Sequence, residues 1–157
     1  MHKPFRSLTL IGVTILSFLT GATPVTAADL TVADVKAWLK GYETAWETLD
    51  PEQAAALFTE NATYRDNPYE NAYQGRAGIR QYWATVTSDQ KDVDFTSEVL
   101  TVTGTTGIAH WRSQFKSKES GDTITLDGIF VLEFADSRLC RSLKEWWHLK
   151  VDPAAEK

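Results

Sequence analysis

The sequence holds two carboxylates in settings that suit acid–base chemistry. Glu145 is followed directly by Trp146 and Trp147, and Asp66 comes two residues after Tyr64. A carboxyl group among aromatic side chains loses hydration, which raises its pKa and suits it to act as a general acid or base near neutral pH. Glu145 is therefore the first candidate for proton transfer, and Asp66 is the second. The Tyr64 hydroxyl can donate a hydrogen bond to a reacting oxygen.

A second set of polar side chains alternates along one segment. His110, Arg112 and Gln114 are each two residues apart, so they share one face of a β-strand, while Trp111 and Phe115 share the other. Arg112 could orient a carboxylate, or bind an anionic or carbonyl group of a ligand. His110 could carry a proton, because the ordinary pKa of histidine is close to neutrality.

Each candidate also has a purely structural interpretation, and both interpretations stay open. Arg112 and Glu145 could form a cross-strand ion pair that only avoids burying bare charge. Asp66 could satisfy loop amides ahead of Pro68. His110 could be a hydrogen-bonded residue that lines a cavity without transferring protons.

The elements that must position these residues begin with helices. Thr31 and Asp34 form a capping pattern ahead of an apolar stripe at three- and four-residue spacing, which predicts a first helix. Asp50 and Pro51 predict the start of a second helix that runs through residue 58. A short extended piece over 62–65 follows. The same apolar spacing predicts a third helix on the following residues: Ile79, Tyr82, Trp83 and Val86.

Strands follow the helices. The segments 93–103, 107–118, 122–134 and 139–150 are rich in β-branched and aromatic residues, alternate in polarity and are separated by turn residues. This pattern predicts a meander of long antiparallel strands. Helices first and a sheet second make an α+β fold, in which a strongly curved sheet wrapped by helices encloses a cavity that is open at one end.

The order of elements resembles the SnoaL-like group of the nuclear transport factor 2-like superfamily. The resemblance covers nearly all of 31–150, and the motifs that carry it lie at 42–46 (YETAW), 56–68, 73–79, 126–130 and 145–147 (EWW). It implies a cone-shaped fold with one pocket between the concave sheet face and the first helices. Because the superfamily includes isomerases, cyclases, dehydratases and pure binding modules, the resemblance implies the fold more sharply than the function.

The resemblance also implies a site. In the limonene epoxide hydrolases of this superfamily, an arginine lies between two carboxylates, with a tyrosine and an asparagine nearby; Arg112, Glu145 and Tyr64 match three of these positions. Gln114 replaces the other carboxylate and Asp66 the asparagine, so that relay is incomplete. The His110–Arg112–Gln114 face is placed inside the cone. The implied catalytic set is Glu145, Asp66, Arg112 and Tyr64, and the implied ligand-binding set is Tyr42, Trp46, His110, Gln114, Leu126, Phe130 and Trp147.

The first 27 residues have the layout of a secretory signal peptide. Lys3 and Arg6 form a basic start, an apolar run covers 8–19, and Val25-Thr26-Ala27 supplies small residues at a cleavage site. Cleavage after Ala27, or one residue later, leaves one domain over 28–157. The sequence therefore predicts a secreted or periplasmic protein with no membrane association after cleavage.

Composition excludes several classes of partner and cofactor. The chain has 21 acidic and 16 basic residues, a net charge of −5, which disfavours nucleic acid and anionic membrane surfaces. His110 and His148 fall on opposite strand faces, and no spacing matches a metal motif or a phosphate-binding loop, so neither a metal nor an organic cofactor is predicted. Cys140 is the single cysteine, which allows no internal disulfide.

The predicted outer face of the sheet is apolar. It would expose the side chains of Trp111, Phe115, Ile129, Val131 and Trp146. An apolar patch of this kind is typical of a partner surface, and a two-fold homodimer through the sheets is the simplest partner. Three functions remain open from the sequence: a cofactor-independent acid–base enzyme acting on a small apolar molecule, a non-catalytic ligand-binding protein, and a dimerisation scaffold.

Overall fold

The computed structural model describes residues 29–155, so the predicted signal peptide lies outside the described residues. Three helices come first: α1 (Val32–Glu47), α2 (Pro51–Ala56) and α3 (Gly75–Val86). The predicted caps are confirmed. The Thr31 hydroxyl accepts from the Asp34 amide at 3.2 Å while the Asp34 carboxylate accepts from the Thr31 amide at 2.8 Å. Asp50 caps α2 by accepting from the amides of the next turn. No helix in 29–155 is long and apolar enough to cross a membrane.

Six strands form one curved sheet. They are β1 (Phe58–Arg65), β2 (Tyr73–Gln74), β3 (Gln90–Thr103), β4 (Thr106–Ser117), β5 (Thr123–Phe134) and β6 (Cys140–Asp152), in the order β2-β1-β6-β5-β4-β3. The predicted antiparallel meander of β3 to β6 is confirmed. Strand β1 lies parallel to β6, a pairing that the sequence did not indicate.

The boundary between α2 and β1 differs from the prediction. The helix ends at Ala56, and Phe58 begins β1 instead of closing the helix. Phe58 is fully buried and pairs with Cys140 of β6. Burial of this aromatic side chain in the sheet outweighs the local preference of the alanine-rich segment for continuing the helix. The α+β fold class is nevertheless as predicted, with the helices packed on the concave face of the sheet.

The predicted orientation of β4 is wrong. Ala109, Trp111, Ser113 and Phe115 face the concave side and are buried, while the alternate residues His110, Arg112 and Gln114 face the convex side. The predicted alternation is correct, but the face that was predicted to be concave is convex, and the other face is concave. Packing Trp111 inside buries a large apolar surface, whereas the predicted orientation would bury the Arg112 guanidinium and leave the Trp111 ring in water.

The same reversal changes the convex surface. Trp111 is 1% and Phe115 7% exposed, so neither belongs to the predicted apolar patch. Ile129, Val131 and Trp146 remain on the convex face, where Ile129 pairs with Trp146 across β5 and β6. The patch that would support a dimer is therefore smaller than the sequence indicated.

Candidate functional site

An inner cavity of about 290 Å³ lies between the concave sheet face and helices α1 and α3. Its polar lining consists of Tyr42, Tyr64, Asp66, Tyr82 and Glu145. Its apolar lining consists of Trp46, Trp83, Val86, Trp111, Phe115, Ile124, Leu126, Trp147 and Leu149. An aromatic wall with a few converging polar groups is typical of a small-molecule site, and this volume suits a small ligand.

Glu145 is held inside the cavity by two tyrosines. Strand β1 runs parallel to β6 with Tyr64 opposite Leu143, so Tyr64 and Glu145 both face inward. The Tyr64 hydroxyl donates to Glu145 Oε1 at 2.8 Å, and the Tyr42 hydroxyl of α1 lies 2.8 Å from the Tyr64 hydroxyl. Within the described chain, Glu145 Oε2 has no hydrogen-bond partner. One oxygen of the carboxyl group is thus anchored, and the other is left for a ligand.

Burial changes the protonation of the Glu145 carboxyl group. Its side chain is 5% exposed, and loss of hydration raises its pKa from the ordinary 4.5 to about 8. The hydrogen bond from Tyr64 works against this shift, while the nearby charge of Asp66 adds to it. The carboxyl group of Glu145 is therefore mostly protonated at pH 7, so it can donate a proton or a hydrogen bond.

Asp66 is the second carboxyl group of the cavity. It follows directly after β1, and its side chain is half-buried. Tyr82 of α3 lies beside both Asp66 and Tyr64, and its ring centroid is 4.9 Å from that of Tyr64. Burial is the main reason that the pKa of Tyr82 is raised, with the charges of Glu145 and Asp66 adding to the effect, so its hydroxyl keeps its proton. Tyr64 and Tyr82 therefore lie between the surroundings of the two carboxyl groups.

The structure separates Arg112 from this group. Arg112 is exposed on the convex face, in a shallow depression with Asp94, Thr96 and Gln114. The predicted Arg112–Glu145 pair is wrong, because the two residues lie on opposite faces of the sheet. His110 is also on the convex face, where its Nε2 lies 3.0 Å from Asp127 Oδ1. His148 shares that face, so the predicted placement of the two histidines on opposite faces is wrong.

The remaining ligand-binding candidates lie as follows. Gln114 is exposed on the convex face and donates to Thr125 Oγ1 at 3.2 Å. Phe130 is buried behind the cavity wall, where it packs on Tyr42 and Trp111. Tyr42, Trp46, Leu126 and Trp147 line the cavity, as do Tyr64, Asp66 and Glu145. The expected placement therefore holds for these seven residues, and their roles in binding or catalysis stay predictions.

Several residues that line the cavity were not predicted from the sequence. Tyr82 and Trp83 belong to the apolar stripe of α3, which was interpreted only as a helix signal. Trp111 was placed on the opposite face. The signal that could have found it is the polarity of β4, since one face carries Trp111 and Phe115 and the other carries Arg112. A strand covered on one face turns its more apolar side inward.

Metal and thiol chemistry find little support in the described part of the chain. Residues 29–155 contain no group of three or more His, Cys, Asp or Glu side chains that could hold a metal ion. Cys140 is buried, and burial raises the pKa of its thiol to about 12. A thiol with so high a pKa forms little of the nucleophilic thiolate at neutral pH.

A larger depression of about 550 Å³ lies outside the cone, along the edge of β6 beyond the end of β1. Its lining combines the 66–70 loop with convex-face residues of β4, β5 and β6. Asp66, Glu145 and Trp147 border both this depression and the inner cavity. The two carboxyl groups therefore lie where the interior of the cone meets its outer edge.

Comparison with known proteins agrees with this architecture. The model of the SnoaL-like domain family matches residues 39–142. The fold is similar to that of a putative isomerase from Bacillus subtilis, with a TM-score of 0.66 at 20% identity over 74% of this chain and 87% of that chain. It is also similar to a Δ5-3-ketosteroid isomerase from Mycobacterium sp., with a TM-score of 0.65 at 18% identity over 76% of this chain and 98% of that one.

A third similar structure is SalBIII, an epoxide hydrolase/cyclase-like enzyme in pyran ring formation in the polyether salinomycin. Its TM-score is 0.63 at 18% identity, over 72% of this chain and 89% of that one. Among curated proteins, none matches this sequence significantly. At these identities the structural matches establish the fold alone. The family match, which covers more than half of the chain, shows that this chain belongs to the SnoaL-like family of the nuclear transport factor 2-like superfamily.

Proposed function

We propose that this protein is an acid–base enzyme that acts on a small, largely apolar organic molecule without a metal or organic cofactor. The observation that carries the proposal is the pair of carboxyl groups in the inner cavity. Glu145 is buried and mostly protonated, and Asp66 is more exposed and lies close enough to raise the pKa of Glu145. Two titratable groups in one cavity whose environments differ in this way are suited to separate acid and base roles.

The geometry supports one assignment of the two proton transfers. Asp66 accepts a proton from a carbon atom of the substrate, and Glu145 donates its proton to a substrate oxygen. With a β,γ-unsaturated carbonyl substrate, the two transfers give a dienol. Asp66 then gives its proton to the γ-carbon while Glu145 takes back the hydroxyl proton, which completes an isomerisation and restores both residues. With a hydroxyl leaving group, the same transfers release water and form a double bond. Tyr64 and Tyr42 are positioning residues, because they act through Glu145.

The choice among these reactions rests on analogy. Proteins of the same fold include a putative isomerase, a ketosteroid isomerase and an epoxide hydrolase/cyclase-like enzyme. The absence of Arg112 from the cavity disfavours the carboxylate–arginine relay of the limonene epoxide hydrolases. Proton transfer at carbon needs only the two carboxyl groups that the cavity holds, so isomerisation or dehydration fits this site best.

A non-catalytic ligand-binding protein is the second candidate. The observation that favours it is the small number of polar groups in the cavity, where nine apolar side chains surround two carboxyl groups and three tyrosines. An apolar ligand could bind there by burial alone. A pure dimerisation scaffold is less consistent with the structure, because Trp111 and Phe115 lie inside.

Deuterium exchange tests proton abstraction without knowledge of the natural substrate. In D₂O, the wild-type protein should accelerate exchange at the α-carbon of 1-tetralone, followed by NMR. Asp66→Asn should slow that catalysed exchange by about 100-fold or more, since general base catalysis typically contributes that much. Arg112→Gln is the matched control on the convex face and should keep the wild-type rate.

The outcome also separates the two functions. If the wild type binds 1-tetralone and a panel of hydroxy ketones and epoxides, yet transforms none of them faster than buffer does, the binding function replaces the enzymatic one. If Asp66→Asn and Glu145→Gln both retain the wild-type exchange rate, another group performs the chemistry and the assigned roles are wrong.

A further inference from the structure

The outer depression along the edge of β6 has no role in the proposed proton transfers, yet it adjoins the inner cavity. Its volume is about 550 Å³, and Asp66, Glu145 and Trp147 border both spaces. Glu145 is 5% exposed, and its Oε2 has no hydrogen-bond partner in the described chain. A ligand in the inner cavity that contacts this carboxyl group can therefore extend past it into the outer depression.

Carboxyl groups dominate the charged lining of the outer depression. Four lining residues carry one, whereas none of the described lining residues is a lysine or an arginine. The four are Asp66, Glu70, Asp127 and Glu145. Two exposed indole rings, those of Trp146 and Trp147, belong to the same lining. Negative charge beside aromatic rings favours a cationic group over an anionic one.

Two arginines adjoin this lining in the chain or in the sheet, and neither borders the depression. Arg65 donates to the carbonyl oxygens of Pro68 and Glu70 at 3.4 and 3.1 Å, so its guanidinium group is held by the loop backbone. Arg112 is opposite Asp127 across β4 and β5, but it lines a separate depression on the convex face. The carboxyl groups of the outer depression are thus left for a ligand.

Asp127 and Trp146 bring a carboxylate and a ring together. Asp127 is opposite His148 and Trp146 is opposite Ile129 across β5 and β6, so Asp127 and Trp146 are diagonal neighbours on the convex face. Diagonal neighbours lie within reach of each other when one side chain is aromatic. Asp127 Oδ1 lies 3.0 Å from His110 Nε2, while Asp127 Oδ2 has no partner in the part of the chain that the structure describes. Trp146 is 50% exposed, so both groups are accessible.

We propose that the outer depression binds a positively charged amine group of the ligand, between the carboxylate of Asp127 and the ring of Trp146. An organic ammonium group fits better than a metal ion, because residues 29–155 contain no group of three or more His, Cys, Asp or Glu side chains that could hold a metal. The ligand class is then an amine whose apolar frame lies in the inner cavity. This inference deepens the proposed function, because it rests on the inner cavity being the ligand site.

Three probes with one bicyclic frame test the charge preference. They are 2-aminotetralin, which carries an ammonium group near neutral pH, uncharged tetralin, and tetralin-2-carboxylate. The wild type should bind the amine most tightly and the carboxylate least tightly, as measured by calorimetry or ligand-observed NMR. Asp127→Asn and Trp146→Leu should each reduce the amine/tetralin affinity ratio by about two- to fivefold, the value of one partly exposed ion pair or cation–π contact.

Asp94→Asn is the matched control for Asp127→Asn. It removes the same charge from the convex face, but Asp94 lines the separate depression that contains Arg112. Because both substitutions change the net charge equally, the comparison separates local recognition from the general attraction of an acidic protein for cations. Asp94→Asn should keep the wild-type ratio. Thermal unfolding checks that each variant is folded, and sedimentation checks that all proteins share one oligomeric state, since Trp146 also belongs to the convex apolar patch.

Two results would overturn the proposal. One is a wild type that binds tetralin-2-carboxylate or tetralin as tightly as 2-aminotetralin. The other is an amine/tetralin ratio that Asp127→Asn and Trp146→Leu lower no more than Asp94→Asn does. In either case, binding of tetralin would leave the inner cavity as the ligand site. Failure of all three probes to bind up to their solubility limits would remove the inner cavity as a site for this frame, and the amine subsite with it, while the exchange assay still tests catalysis independently.

Discussion

Glu145→Gln should abolish the pH dependence that this side chain imposes on stability. Glutamine keeps the shape of the side chain and an oxygen that accepts from Tyr64, but it cannot ionise. In the wild type, burial raises the pKa of Glu145 from 4.5 to about 8 in the folded state. The folded protein therefore holds a proton that the unfolded chain releases between these two values, and the free energy of unfolding falls as pH rises through this window.

The magnitude follows from the width of the window. Each pH unit between the two pKa values costs about 1.4 kcal/mol of stability. The contribution of Glu145 is fully present below pH 4.5 and is lost as pH rises through about 8. Between pH 5 and pH 7, the wild type should lose about 2 to 3 kcal/mol relative to Glu145→Gln, which removes this one titration and leaves the others in place.

Chemical denaturation at half-unit steps from pH 4.5 to 9 measures this difference. Glu98→Gln provides a matched substitution at an exposed site on β3. The stability of Glu145→Gln relative to wild type should rise steadily across the window and level off above about pH 8. A flat difference over the whole range would show that Glu145 ionises as readily in the folded protein as in the unfolded chain, and its role as proton donor would then fail.

Three further predictions concern other parts of the molecule. Gly128→Ala should destabilise the fold by about 1 to 3 kcal/mol in denaturant unfolding, because the added Cβ would lie 2.6 Å from the Trp146 carbonyl oxygen and 3.0 Å from Trp111 Cε2; unchanged stability would contradict this close packing around Gly128. The protein should sediment as a dimer at micromolar concentration, and Trp146→Glu on the convex face should shift it toward monomer; a wild-type monomer would refute a sheet-mediated dimer. Protein recovered outside the cytoplasm should begin at Ala28 or Asp29 by N-terminal sequencing, and an intact, membrane-integrated chain would contradict the signal peptide.

Local sequence signals predicted most of the secondary structure. The caps at Thr31 and Asp50 act within one turn of the chain, so their residues alone specify where α1 and α2 begin. The alternation of β3 to β6 similarly follows from the two-residue period of a strand. The end of α2 could not be predicted in this way, because Phe58 joins β1 through contacts with a strand more than 80 positions later.

The candidate site was only partly predictable for the same reason. Glu145, Asp66 and Tyr64 were recognised from residue type and resemblance, yet the hydrogen bond between Tyr64 and Glu145 depends on the parallel pairing of β1 with β6. No local pattern encodes that pairing. The pKa of Glu145 likewise depends on burial by α1 and α3, which are distant in the chain.

Strand β4 illustrates which features the sequence determined and which the tertiary structure decided. The sequence by itself determined that Trp111 and Arg112 lie on opposite faces, because successive side chains of a strand point in opposite directions. Only the tertiary structure decided which face is concave, since that depends on the side of the sheet that the helices cover. Burial of Trp111 against Trp46 and Phe130 places the aromatic side inward and leaves Arg112 in solvent. As a result, the cavity wall contains the indole of Trp111 and not the guanidinium of Arg112.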